Sequence, residues 1–583
     1  MPRKHAVSSP RARSLTKLVW LVPLTAMLVY SNTFRSDFTY DDMDIVAKNP
    51  AIRSLSNIPG LFTSTYWVGV DSAPDKSLYR PLTMTTYALE YRVHGLRPGW
   101  FHEVNVLLHA LASLLLFFLV REIFANEALA IIAALLFAVH PIHTEAVANV
   151  VGRAEILALV GIILCSWGYF VAMRLQGFRV WCWGLVSVLA YLGGTLSKEV
   201  GVTAPAVILM TEVMLPRRRN ILRGRRRALA LFGGYAASLT LFLLLRSGAV
   251  SNRVVHVGFA DLPSGARILT ALRVLMEYVG LLLAPVRLSA DYWRVPITLS
   301  PSQLSALAAL AVVAAIGYAI AWSWKRYPAI AWGLGLFAIT ILPVSNIPFA
   351  IGVMKAERLL YSPSSGFLVA VGGVLAALLA RPARRRAALA MVCAATVALS
   401  IMTWERNHVW KDNLSLARAT LKRTPDSPSF NVVMGNWYRQ QGKNTEAKKY
   451  YLKAASLLPS DKATLFNLGN IESDEKNYEA AITYYRRAIG IDPNYASAIN
   501  NLGSVYHKLG RYTEAAQMFG RFRDLEPNSP HPYLNLMAVY IDARQYDAAL
   551  TVTQEALRRF PNEADIQANA AILYGLLRRA PAR

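Results

Sequence analysis

The sequence predicts an all-α chain in two parts, a polytopic membrane helix bundle of about eleven spans followed by a superhelical α-solenoid. Two observations predict it. Of 583 residues, 54% are hydrophobic and 17% charged, against about 25% charged in an ordinary soluble protein. Near Trp404, long apolar runs give way to a polar stretch that repeats every 34 residues. A single soluble globular domain is excluded.

The apolar runs are about 15–22 residues long, enough to cross roughly 30 Å of hydrocarbon. They fall at 18–34, 103–120, 128–144, 155–173, 181–196, 200–215, 228–246, 302–322, 328–345, 360–380 and 388–403. The first has no small-residue cleavage site and more spans follow it, so it reads as an anchor rather than a signal peptide. The stretch 268–287 is apolar but carries Arg273 and Glu277. As a full span it would invert every later loop, so it is read as an interfacial or re-entrant helix.

Lys and Arg number 62 against 36 Asp and Glu, a formal charge of +26. The basic residues bunch between apolar runs: Arg3, Lys4, Arg11, Arg13 and Lys17; Arg217–Arg219, Arg223 and Arg225–Arg227; Arg381 with Arg384–Arg386. That is how cytoplasmic loops hold a membrane topology, not how a groove tracks phosphates. No nucleic acid partner is expected. The clusters place the N-terminus inside, and an odd number of spans ends the chain outside. Cys165, Cys182 and Cys393 lie within apolar stretches and read as small core hydrophobes, with no disulfide framework and no CxxC metal pair.

After Trp404, Pro425, Pro459, Pro493, Pro527 and Pro561 are spaced by 34 every time. Gly435, Gly469 and Gly503 keep that step, as do Ala447, Ala481, Ala515 and Ala549, and Leu468, Leu502 and Leu536. This is the tetratricopeptide pattern. Small residues let two antiparallel helices approach closely, and the proline ends the second. Four repeats over 426–561 and a closing helix follow. The boundary is drawn between a membrane domain, 1–403, and a repeat domain, 404–583.

Candidate chemistry gathers in external segments. Asp41 and Asp42 open the first external loop, and Tyr66, Trp67, Tyr79, Arg80 and Tyr87 follow. An acidic pair is most often a solvated turn, but a carboxylate at a membrane face can act as general base toward an acceptor hydroxyl. His102, Asn105 and His109 share one helix face; His109 is read as a hydrogen-bonded core residue. His140, His143, Glu145, Arg153 and Glu155 crowd the next boundary. Ionisable groups at membrane depth are functional candidates unless paired, and Arg153 and Glu155 are a candidate structural pair. Imidazole and carboxylate suit a divalent ion, but this spacing matches no zinc signature, so no metal is expected. Lys198, Glu199, Lys355, Glu357, Arg358 and Tyr361 complete the set. A guanidinium at the mouth of a bundle suits a lipid phosphate. In the expected topology all these segments share the external face, which suits one polar chamber.

At these residues the chain resembles the transmembrane and tetratricopeptide-repeat-containing O-mannosyltransferases. The likeness keeps its order: YDD at 40–42, YRPL at 79–82, HEVNVLLH at 102–109, HPIHTEAV at 140–147, GRAE at 152–155, LSKE at 196–199, LSADYW at 288–293, LPVSNI at 342–347 and AERLLYSPSSGF at 356–367. The resemblance implies the GT-C glycosyltransferase fold. It also implies a polyprenyl-phosphate sugar donor, typically the mannose lipid, and a protein Ser/Thr acceptor; apart from that lipid-linked donor, no cofactor is expected from the residues. One of Asp41 and Asp42 would then be the base, with Asp42 preferred. Arg80, Arg153, Lys198 and Arg358 would hold the donor phosphate, in a pocket with His102, His140, His143, Glu145, Glu155, Glu199 and Tyr361. Arg-over-Lys usage, short loops and a compact tail point to a bacterial member, an inner-membrane protein with its repeats in the periplasm.

Asn467, Asn501 and Asn535 recur at one position of successive repeats. Such a ladder suits an extended peptide backbone, since an amide binds any backbone without reading side chains; helix packing is the alternative. Two rival readings stay open: a catalytically idle bundle anchoring a peptide-binding scaffold, and a glycosyltransferase with a glycan or lipid acceptor.

Overall fold

A computed structural model describes residues 18–70, 77–215, 224–250, 262–293 and 295–579. The N-terminal basic cluster, Arg217–Arg219 and Arg223 lie outside the described residues. Every regular element among the described residues is helical. The chain divides into two units, Met1–Thr424 and Pro425–Arg583. The division falls later than the change in composition at 404, because the segment leading into the Asn413–Arg423 helix is tied to the first external loop. The Asp37 N–H donates to the Lys411 carbonyl at 2.8 Å, and the Tyr40 N–H to Asn413 Oδ1 at 2.8 Å.

The first unit is membrane-integral. Among the described residues, seven helices are long and apolar enough to cross: Pro98–Phe124, Val150–Arg174, Arg179–Ser197, Arg225–Ala249, Leu304–Ser323, Glu357–Leu379 and Pro382–Trp410. Glu127–Val139 and Pro141–Ala148, bent by 51°, make an eighth if they form one broken span. The other expected spans are shorter helices, Leu21–Tyr30, Ala204–Met214 and Pro328–Ile341. Flanking 3-10 turns cut each of them short of full length: Ser31–Arg35, Glu199–Thr203 and Leu342–Val344. The doubtful stretch forms the helix Ser264–Leu283, which is not among the candidate spans. Its Arg273 and Glu277 pair at 3.3 Å, and Lys355 reaches Glu277 at 2.7 Å.

Small residues bring the spans together. A Cβ on Gly161 would meet the Gly194 Cα at 2.5 Å, so the two helices Arg153–Arg174 and Arg179–Ser197 pack backbone to backbone. Their close approach fixes the segments that follow and precede them, 149–155 and 196–203, beside each other.

The second unit is four helix pairs and a last helix: Pro428–Gln440 with Asn444–Leu457, Lys462–Asp474 with Tyr478–Ile491, Ala496–Lys508 with Tyr512–Leu525, His531–Asp542 with Tyr546–Arg559, then Ala564–Arg579. The recurring glycines have a steric cause. A Cβ on Gly435, Gly469 or Gly503 would come within 2.5, 2.6 or 2.8 Å of the ring of Tyr451, Tyr485 or Phe519. Gly469→Val is therefore expected to destabilise the repeats by about 1–3 kcal/mol, read as a lower melting temperature of the repeat transition in the full chain.

Candidate functional site

The loop carrying the acidic pair is shaped by backbone strain. Tyr40 adopts φ 51°, in the left-handed region that few bulky residues enter, and this turns Asp41 and Asp42 to different surroundings. Asp42 is fully buried. Its Oδ2 accepts the N–H groups of Thr39 and Val150, each at 3.2 Å, and its Oδ1 accepts that of Val151 at 2.8 Å. The carboxylate thus clamps the first external loop to the turn Val150–Gly152. Burial lifts its pKa to about 7, although the three N–H groups oppose the rise.

Asp41 is half-buried. Burial raises its pKa most; the charges of Arg358 and then Arg80 pull it down, while Glu145 and Asp44 push it up. This geometry does not favour Asp42, the carboxylate preferred as base, because its oxygens are taken by the Thr39, Val150 and Val151 N–H groups.

Three cations expected at the donor phosphate stand opposite three carboxylates expected in the pocket. Arg358 pairs with Glu145 at 2.5 Å, Lys198 with Glu155, and Arg80 with Glu199 at 3.6 Å. The pairs share one field. Burial lowers the pKa of Lys198 against the pull of Glu155. Burial works upward on Glu199, but the Arg80 and Lys198 charges overcome it and hold the carboxyl low. The Arg80 guanidinium also lies over the Tyr66 ring, 5.1 Å from its centroid. Arg358 and Arg80 keep 26% and 15% of their side-chain surface, whereas Lys198 keeps 6%. The first two are the accessible cations.

Arg153 belongs elsewhere. It is fully buried, and its guanidinium donates to Asn105 Oδ1 at 2.7 Å, the Phe101 carbonyl at 3.0 Å, Thr86 Oγ1 at 3.2 Å and the Glu90 carboxylate. These are framework contacts, and Arg153 has no exposed surface to offer the donor phosphate expected of it. Its carboxylate partner is Glu90, not Glu155. The histidines expected in the pocket are framework too. His140 meets the Leu282 carbonyl at 3.1 Å, His143 the Phe137 carbonyl at 2.9 Å and Ser364 Oγ at 2.7 Å, and His102 the Asp37 carbonyl at 3.3 Å. Tyr361 is buried with its hydroxyl 2.8 Å from His109 Nδ1. His109 has the core role expected of it. No group of three or more His, Cys, Asp or Glu among the described residues could hold a metal ion.

Sequence reasoning missed Glu90, Asn105 as the partner of Arg153, and the partners of Glu357. Glu357 is fully buried beside Arg358. It accepts from the Tyr292 hydroxyl at 2.7 Å and from the Ser289 N–H, and lies 3.5 Å from the Arg406 guanidinium. It thereby holds the segment 289–292 against the Arg358 turn. The available signal was the glutamate next to an arginine predicted to be functional. Glu357→Gln, which keeps the size but not the charge, is expected to loosen that segment and raise proteolytic cleavage near 289–292.

The ladder asparagines first join neighbouring repeats. Nδ2 of Asn467, Asn501 and Asn535 donates to Oδ1 of Asn436, Asn470 and Asn500 at 3.4, 2.8 and 2.7 Å. The hydroxyls of Tyr451 and Tyr485 donate to the same Asn436 and Asn470 oxygens at 2.6 and 2.8 Å.

Models of the tetratricopeptide repeat match residues 429–461, 469–510 and 506–573. The human protein O-mannosyl-transferase TMTC1 is 29% identical over 505 residues, covering 77% of this chain and 56% of that protein. Human TMTC3, also named a protein O-mannosyl-transferase, is 27% identical over 485 residues, covering 78% and 53%. This chain is similar to the protein O-mannosyl-transferases. Mouse TMTC4 extends the likeness, 28% identical over 503 residues and covering 77% of this chain and 67% of its own. The chain spans little more than half the length of the first of these O-mannosyl-transferases. Among solved structures, that of the MamA protein is 23% identical, covers 26% of this chain and 85% of its own, and has a TM-score of 0.25.

Proposed function

We propose that the chain is a membrane glycosyltransferase that moves a hexose, mannose by its likeness to the named relatives, from a polyprenyl-phosphate donor to Ser/Thr hydroxyls of an extracytoplasmic protein held by the repeats. Asp41 carries this reading: it is a half-open carboxylate beside two accessible cations, at the mouth of a membrane-integral bundle. In the proposed step Asp41 takes the proton of the acceptor hydroxyl. The hydroxyl oxygen forms a bond to the anomeric carbon while the bond from that carbon to the phosphate oxygen breaks. The electron pair leaves with the lipid phosphate, whose charge Arg358 and Arg80 stabilise. Attack from the face opposite the phosphate gives inversion. Lys198 joins in holding phosphate only by parting from Glu155, which suits a second, weaker role. The active compartment is proposed to be the periplasm, facing out of an inner membrane.

Because the base must be ionised, the transfer rate is expected to fall as pH drops through the Asp41 ionisation. Burial sets that above the ordinary carboxylate range. Mass spectrometry of extracytoplasmic peptides tests the reading: hexose on Ser/Thr should be present with the chain and absent without it. Unchanged glycopeptides would overturn it. Ending the chain after Thr424 tests the acceptor class. Loss of protein glycosylation is expected; retained transfer would favour a glycan or lipid acceptor.

A further inference from the structure

We propose that Glu145 is a positioning residue that holds Arg358 to itself and so keeps the guanidinium from closing onto the Asp41 carboxylate. The proposal rests on the reading of Asp41 as the base. Both Glu145 oxygens are engaged by one residue. Oε2 accepts the backbone N–H of Arg358 at 2.8 Å, and Oε1 accepts from its Nη1 at 2.5 Å. Glu145 itself is 1% exposed, on the short helix Thr144–Ala148. Main chain and side chain of Arg358 are therefore both fixed to one carboxylate. That is a stronger constraint than an ion pair alone, since the backbone from which the side chain departs and one guanidinium nitrogen are both anchored.

The other anions attracting Arg358 are Asp41 and Glu155. A carboxylate in a close pair with an arginine is a poor base, because the cation stabilises its ionised form. Released from Glu145, Arg358 would turn onto Asp41 and make it one. The groups whose charge acts on Asp41 are Arg358 and Arg80, which favour its ionised form, and Glu145 and Asp44, which disfavour it; Asp42 adjoins it in the chain. Glu145 thus acts on Asp41 twice, through its own charge and through the position of Arg358, and both effects have the same sign.

The test reads Asp41 directly in the full chain reconstituted in lipid nanodiscs. A water-soluble carbodiimide with an amine nucleophile labels carboxyl groups in proportion to protonation, and peptide mass spectrometry follows Asp41 across pH. Glu145→Gln is expected to move the Asp41 labelling midpoint down by about one pH unit, tenfold in proton affinity. Arg358→Gln is expected to move it up. A merely structural Glu145 would not give opposite signs in the two variants. If E145Q fails to accumulate, Glu145→Asp, which releases one of the two contacts, should give a smaller downward shift. An unchanged or raised midpoint in these Glu145 variants overturns the proposal. Absence of sugar transfer by the wild-type chain would overturn the functional reading alone, since the midpoints need no substrate.

Discussion

Asp41→Asn is expected to leave the protein folded and to lower sugar transfer by about 10²–10⁴-fold, the contribution typical of a general base. The side chain is half-buried and the amide keeps its size and shape, so the substitution is expected to cost the fold little. Asp42→Asn is expected to behave in the opposite way. Its carboxylate accepts three backbone N–H groups that join two distant segments. The amide NH₂ would face one of those donors and leave it unsatisfied in a buried site, at a cost of about 1–3 kcal/mol. Accumulation and melting temperature should therefore fall for D42N and hold for D41N, with activity lost in both. Side-by-side measurement of folded protein and transfer in membranes distinguishes the two roles. An inactive D41N that also fails to accumulate would contradict the division of labour.

Arg153→Met is expected to destabilise the membrane unit by about 3–5 kcal/mol, the usual penalty for stranding one member of a buried ion pair. Glu90 would lose its cation, Asn105 its donor, and the Tyr87 ring the guanidinium that lies 4.7 Å above it. Arg153→Lys should rescue poorly, because an ammonium cannot reproduce a planar fork serving Asn105, Glu90, Thr86 and Phe101 together. Thermal unfolding of purified protein reads the loss. A stable R153M with weakened donor affinity alone would restore the donor role the sequence suggested.

The repeats were legible because the 34-residue period is written in residues with steric reasons to recur, as the contact of Gly469 with the Tyr485 ring shows. The charged residues that pair in the membrane unit were legible as well. Ionisable side chains are scarce in apolar sequence, so Glu145, Glu155, Lys198 and Arg358 stand out. Their partners were not legible. Arg153 and Glu155 are two residues apart on one helix and point to different faces, so each pairs with a distant segment that only tertiary structure supplies. Adjacent Asp41 and Asp42 look equivalent in sequence; the turn at Tyr40 sends one to the backbone of 150–151 and leaves the other half-open. Histidines drew attention as polar residues in a bundle, but both ring nitrogens of His109, His140 and His143 find partners buried with them.

An experimental structure of the full chain with a non-transferable polyprenyl-phosphonate sugar would test the central claim most directly. The phosphonate should lie against Arg358 and Arg80, with the Asp41 carboxylate facing the anomeric carbon from the side opposite the phosphonate. A donor seated away from Asp41, or held by groups other than those two arginines, would contradict the account.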